Sequence, residues 1–357
     1  VTVAGSQTIV GESDNTITGY ELKEGTKAQN YTITTVAGKL KVTDRGEDEK
    51  FEVTVTADSL EVTYNGNEQS VNGYTVEGLL EGHTLEGVSA GAAGTDADEY
   101  ASKVTGTPVI RDAAGNDVTN QYRVVVKDGK LTVNPVAVEI TANSNKKPYD
   151  GTALTDDGYS ITKGSFVGEE GFASVTVAGS QTIVGESDNT ITGYELKEGT
   201  KAQNYTITTK AGKLKVTDRG EDEKFEVTVT ANSLEVTYNG NEQSVSGYTV
   251  EGLLEGHTLE GVSAGAAGTD ADEYASKVTG TPEIKDAAGN DVTNQYRVAV
   301  TDGFLKITKR EVEFTANSAS KAYDGNALTD DGYTLTGGSL AENQNETVTV
   351  VGSQTLV

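Results

Sequence analysis

Phe51-Glu52-Val53-Thr54-Val55-Thr56-Ala57 decides the fold. Phe51, Val53 and Val55 alternate with Glu52, Thr54 and Thr56, which is the period of a half-buried β-strand. The same seven residues recur as Phe225–Ala231, 174 residues further on.

Outward from this strand the whole neighbourhood repeats. Val1-Thr2-Val3-Ala4-Gly5-Ser6-Gln7-Thr8-Ile9-Val10 returns at 175–184. The match continues to Tyr122-Arg123 and Tyr296-Arg297, with differences at Val36/Lys210, Asp58/Asn232, Asn72/Ser246, Val109/Glu283 and Arg111/Lys285. A third copy starts at Val348-Thr349-Val350-Val351-Gly352-Ser353-Gln354, one residue having been lost between Gly325 and Val348. Solenoid units are about 20–50 residues long, so a period of this length repeats whole domains.

Each period holds two modules with one grammar: strand, Tyr-Asx-Gly turn, strand, a middle section, a Tyr-led strand, a Gly turn, a last strand. In one module the turn is Tyr64-Asn65-Gly66, and the close is Asn120-Gln121-Tyr122-Arg123-Val124 followed by Asp128-Gly129-Lys130-Leu131-Thr132-Val133. The other opens with Val138-Glu139-Ile140-Thr141-Ala142 and Tyr149-Asp150-Gly151. It closes with Asn204-Tyr205-Thr206-Ile207 and Ala211-Gly212-Lys213-Leu214-Lys215-Val216. Naming the second kind A and the first B, the expected order is the back half of A (1–45), B (51–135), A (136–219), B (225–309) and the front half of A (311–357). The two end segments are expected to be cut from a longer polymer, because neither has both the Tyr-Asp-Gly opening and the Asn-Tyr close. The chain has no Met, so no residue in it is an initiator.

Tyr122-Val124-Val126 and Leu131-Val133 flank Asp128-Gly129, which predicts a tight hairpin, as do the strands flanking Ala211-Gly212. No long segment has helical apolar spacing, and Tyr100 is expected in a strand. The fold class predicted is all-β, a linear array of small β-sandwich (Ig-like) modules.

Composition agrees. Gly is abundant at 42, Pro scarce at 4, and Tyr outnumbers Phe 16 to 6, which suits exposed sheet. A net charge of −27 repels DNA and anionic lipid, so neither nucleic acid nor membrane insertion is expected of this segment. Zero Cys excludes disulfides and thiolate metal sites.

The grammar resembles the MBG and YDG repeat families of bacterial surface proteins. Lys147-Pro148-Tyr149-Asp150-Gly151-Thr152 and Lys321-Ala322-Tyr323-Asp324-Gly325 are similar to the YDG motif. The B modules resemble the MBG type through Asp112-Ala113-Ala114-Gly115-Asn116-Asp117-Val118-Thr119-Asn120-Gln121-Tyr122 and its copy at 286–296. The resemblance spans nearly the whole chain. It implies a large secreted or wall-attached, adhesin-like protein at a bacterial surface, and it implies no catalysis.

No catalytic, cofactor-binding or metal-binding residue is assigned. His83 and His257 occupy equivalent places and lack a triad or zinc pattern, so both are read as loop or edge residues. The Tyr-Asp-Gly triplets are read as structural turns. Asp44-Arg45-Gly46-Glu47-Asp48-Glu49 and Asp218-Arg219-Gly220-Glu221-Asp222-Glu223 are the best calcium candidates, but they lack an ordered ligand motif and are read as plain solvated linkers. The loop from Asp112 to Asp117 is read as a turn. Asn30, Asn204 and Asn345 head glycan sequons of the kind that arise by chance. No Lys–Asn isopeptide pair is assigned.

The sequence thus points first to a structural spacer whose partners are neighbouring modules of the same chain. Two alternatives are repeats that bind a host protein or glycan by copy number, and a self-assembling fibre with head-to-tail association.

Overall fold

The computed structural model describes residues 1–356, and among them every element longer than a single turn is a strand. The helical remainder is a set of three-residue 3-10 turns. The all-β prediction is therefore met, and Tyr100 lies in strand Glu99–Arg111.

In the module around Phe51 the chain builds two sheets. Phe51–Ala57 is the central strand of the first, parallel to Tyr122–Lys127 and antiparallel to Tyr74–Glu77. The second has five strands, in the order Leu60–Thr63, Gly129–Asn134, Glu99–Arg111, Thr84–Gly94, Gln69–Asn72. Val53, Val55 and Ala57 are buried, as the alternation requires. Val53, Val55 and Tyr122 of one sheet share a core with Ile110, Leu85 and Val104 of the other, so the module is a sandwich. The module around Phe225 repeats this arrangement strand for strand.

The hairpin prediction at Asp128-Gly129 is wrong. Tyr122–Lys127 and Gly129–Asn134 do not pair with each other. The first runs parallel to Phe51–Ala57 and the second parallel to Leu60–Thr63, in different sheets. Here the glycine serves a sheet-to-sheet crossing. A Cβ at Gly129 would lie 2.4 Å from the carbonyl oxygens of both Ala57 and Asp58, so only a residue without one lets the two backbones cross. The same correction holds at Ala211-Gly212. Tyr205–Lys210 runs parallel to Val136–Ala142, while Gly212–Thr217 runs parallel to Asn145–Pro148.

By contacts the chain divides into two units. The first contains residues 1–142, 158–177 and 191–210. The second contains 143–157, 178–190 and everything from Ala211 onward. The expected A module at 136–219 contributes to both.

Each unit has a core that crosses an expected module boundary. In the first unit, Tyr64, Val71, Leu131 and Val133 pack with Val138, Ile140 and Tyr205. Only Pro135 separates strand Gly129–Asn134 from strand Val136–Ala142, so the chain passes from one module to the next without a loop. In the second unit, Tyr149, Leu154, Leu214 and Val216 join Val227, Val229, Ile284 and Tyr296.

The end segments carry the same residues in a different condition. Tyr205 leads a strand and is 6% exposed, whereas its repeat counterpart Tyr31 is 62% exposed and outside any strand. Tyr149 is 0% exposed, whereas its counterpart Tyr323 is 68% exposed. Among the described residues, 31–36 have no strand neighbour like the one that Val136–Ala142 provides for Tyr205–Lys210.

Candidate functional site

The side chains that converge most closely lie at the expected module junctions. Three junction clusters are built from loop residues held by strand ends.

The first cluster lies in the first unit, where Tyr64 and Tyr205 close on one carboxylate. Tyr64 Oη donates to Glu170 Oε1 at 2.6 Å, and Tyr205 Oη donates to Glu170 Oε2. The two rings meet edge to face, 5.9 Å between centroids. Both phenols are pushed up to about 12. For Tyr64 the hydrogen bond to Glu170 is the main cause and burial the next. For Tyr205 burial comes first and the Glu170 bond second. Beside them Asp96 accepts from Lys201 Nζ at 2.6 Å and from Asn204 Nδ2 at 3.0 Å, while Asn204 Oδ1 accepts from Ala97 N at 2.7 Å. Asp96 is lowered by Asn204 and Lys201, and Lys201 is raised by Asp96. Asn204 is buried with both ends of its amide bonded, so this sequon residue serves packing.

The second cluster lies in the second unit, at the first Tyr-Asp-Gly triplet. Tyr149 N donates to Thr217 O and Arg219 Nη1 donates to Tyr149 O, each at 2.9 Å. The Tyr149 hydroxyl lies 3.5 Å from His257 Nε2, and the Tyr296 hydroxyl lies 2.7 Å from His257 Nδ1. Burial lowers the His257 imidazole below its ordinary value, and burial raises the Tyr149 phenol to about 12. The turn itself matches its reading. Asp150 Oδ1 accepts from Thr152 N at 2.9 Å and from Lys147 Nζ at 2.7 Å, and Gly151 has φ +79°. Burial acts to raise the Asp150 carboxyl, but Lys147 and Thr152 outweigh it and hold the group at about 2.

The third cluster is the first unit's counterpart of that pocket. His83 Nδ1 lies 2.7 Å from the Tyr122 hydroxyl, as at His257 and Tyr296. Among the described residues no tyrosine fills the space beyond it. A cleft of about 530 Å³ opens there, lined by Ile9, Val42, Phe51, Leu80, His83 and Tyr122 among others.

The histidines therefore sit in loops, as read from the sequence, but each holds a tyrosine hydroxyl. Sequence spacing gave no sign of that pairing, because 39 residues separate the partners. The acidic linkers are more constrained than plain solvated linkers. Asp218 Oδ1 accepts from the side-chain amides of Asn294 at 3.1 Å and Gln295 at 2.6 Å, and the Arg219 guanidinium lies 4.2 Å over the Phe225 ring. Asp44, Asn120, Gln121, Arg45 and Phe51 repeat this arrangement. Lys50 and Lys224 neutralise Glu47 and Glu221 at 2.7 and 2.8 Å. Among the described residues no three acidic or histidine side chains converge as metal ligands. The Asp112 loop is a turn tied from within, its carboxylate accepting from Ala114 N, Asn116 N and Asn116 Nδ2.

No protein-family model matches the chain. No curated protein matches it in sequence either. Among solved structures, the I9–I11 tandem from titin is 10% identical with a TM-score of 0.19, over 72% of this chain and 99% of that one. The N-terminal eight Ig domains of Down Syndrome Cell Adhesion Molecule isoform 1.30.30 are 10% identical with a TM-score of 0.14, over 87% of this chain and 48% of that one. The N-terminal four Ig domains of Dscam1 isoform 9.44 are 8% identical with a TM-score of 0.16, over 77% of each chain. Scores this low carry no argument, and the fold assignment rests on the chain's own sheets.

Proposed function

We propose that this chain is a structural spacer, a tandem of β modules with locked junctions that forms a stalk at a bacterial surface and performs no catalysis. One observation carries the reading. The hydrophobic core of the first unit crosses an expected module boundary, from Leu131 and Val133 to Val138 and Ile140, with only Pro135 between the strands. A boundary crossed by a core resists bending in a way that a solvated linker does not. The acidic surface supports the same role by keeping parallel copies apart. Both histidines are engaged with tyrosine hydroxyls, which is a packing role. The extracellular, wall-attached setting and the YDG and MBG identity of the modules are part of this proposal and rest on the motif resemblance.

Solution scattering tests it. A compact globule of this length would have a radius of gyration of about 20 Å. The stalk reading expects a value well above that, with a rod-like profile, and a compact value would overturn it.

A further inference from the structure

We propose that the Tyr-Asn-Gly turns are sites of spontaneous deamidation: Asn65 and Asn239 convert to acids, and at Asn65 the new charge enters the cleft that holds Glu170. The chemistry is independent of the stalk reading.

The chain has three Asn-Gly pairs, at Asn65-Gly66, Asn72-Gly73 and Asn239-Gly240. In such a pair the glycine nitrogen attacks the side-chain amide carbon. The N–Cγ bond forms as the glycine N–H proton is lost to water. The Cγ–Nδ2 bond breaks, and Nδ2 takes up a proton from solvent and leaves as ammonia. Water then opens the succinimide ring to aspartate or isoaspartate. Glycine suits the step because it has no Cβ to obstruct its nitrogen.

The fold favours two of the pairs and blocks the third. Asn65 Oδ1 accepts from Asn67 N at 2.9 Å, and Asn239 Oδ1 accepts from Asn241 N at 2.9 Å. The ring that this bond closes contains both Cγ and the glycine nitrogen, so it holds the reacting atoms together. The donor also lies where negative charge gathers on Oδ1 during the attack, as an oxyanion donor does. Among the described residues the nitrogens of Gly66 and Gly240 have no hydrogen-bond partner. Both asparagines are exposed to the water that opens the ring. At the third pair Gly73 N donates to Ala90 O at 3.1 Å, and Gly73 O accepts from Asp58 N at 3.0 Å. That nitrogen is tied into the backbone and is not free to attack.

The aspartate product fits the turn but not its surroundings. Asp150 and Asp324 already make the same turn, each carboxylate accepting from the nitrogen two residues on, Thr152 at 2.9 Å and Asn326 at 3.0 Å. Each is also paired with a lysine three residues before it, Lys147 at 2.7 Å and Lys321 at 3.0 Å. The Tyr-Asn-Gly turns have Val62 and Val236 in that place. A carboxylate at position 65 would therefore lack that partner. It would stand in a cleft lined by Glu169, Glu170 and Glu198, with Lys197 as the one cation in the lining. Glu170 is the acid that Tyr64 and Tyr205 share, so the charge gained at 65 works against that contact.

Peptide mapping of the chain aged in neutral buffer tests the proposal. Asn65 and Asn239 should convert at least about 10-fold faster than Asn72, with release of ammonia. In urea the three pairs should convert alike, because the fold ranks them. A folded chain that loses Asn72 first, or that keeps Asn65 while the unfolded chain converts it, would overturn the proposal. So would the same ranking in urea. Asn65→Gln should block conversion at that site, since the longer side chain does not close the same ring. Asn65→Asp should melt lower than Asn65→Gln, and added salt should narrow the gap. Equal melting at low salt would overturn the effect on the Glu170 contact.

Discussion

Tyr64 donates a 2.6 Å hydrogen bond to Glu170, 106 residues further along the chain, and Tyr205 donates to the same carboxylate. One acid thus gathers a residue from each of two expected modules. The counterpart pairs Tyr238 with Gln344, so an amide stands where the acid stood.

Glu170→Ala should destabilise the first unit by about 1.5–3 kcal/mol, the range for a hydrogen bond to a charged group, here lost from two buried tyrosines. Glu170→Gln should cost less, because Gln344 occupies the equivalent place. Thermal or urea unfolding of the two variants measures the difference. Equal effects would mean that an amide rescues nothing and that only the charged carboxylate holds the two phenols.

Tyr149→Ala should cost about 3–5 kcal/mol, because a fully buried ring is removed from a packed core. Tyr149→Phe should cost under about 1 kcal/mol, because the hydroxyl reaches His257 only at 3.5 Å. Urea titrations followed by near-ultraviolet circular dichroism would separate the two.

Alkaline pH should unfold the chain in a defined window. Tyr64, Tyr149 and Tyr205 have folded values near 12, raised above the ordinary value of 10.0. A raised value means that the fold favours the protonated phenol. The stabilisation is therefore complete below 10 and is lost as the pH rises towards 12. Melting temperature against pH checks this, and Tyr64→Phe should flatten the fall.

At the acid end Asp150 has the opposite sign. Its carboxyl is held at about 2 against an ordinary 3.8, so its contribution is present above 3.8 and is lost as the pH falls towards 2. Lys147→Met, which removes the ammonium, should shift the acid transition to higher pH.

Gly129→Ala and Gly303→Ala should each destabilise by about 1–3 kcal/mol through backbone crowding, because a Cβ would meet carbonyl oxygens at 2.4 Å in both places. Gly115→Ala meets nothing within 4 Å and has only its φ of +84° against it, so it should cost about 1 kcal/mol. Reversal of that order in chemical denaturation would contradict the crossing described at Gly129.

Chelator should leave the melting temperature unchanged, because Asp44 and Asp218 already bond to neighbouring amides. A drop in melting temperature on adding chelator would restore calcium at the acidic linkers.

The sequence by itself determined the strand content, the repeat and the turn chemistry. Those rest on local physics, such as the alternation in Phe51–Ala57 and the side chain of Asp150 holding its own turn at Thr152. Periodicity carries no information about which strand lies beside which. Tyr122–Lys127 and Gly129–Asn134 therefore read as a hairpin although they belong to different sheets. The sequence was equally silent on the junctions, because Tyr64 meets Glu170, and Tyr149 meets His257, across more than a hundred residues. Tertiary structure alone decided which partners bury a residue of the repeat: Tyr149 lies in one core with Leu214, Val227 and Tyr296. Burial belongs to the neighbours that a residue finds, and Tyr149 and Tyr323 share a motif but not its surroundings.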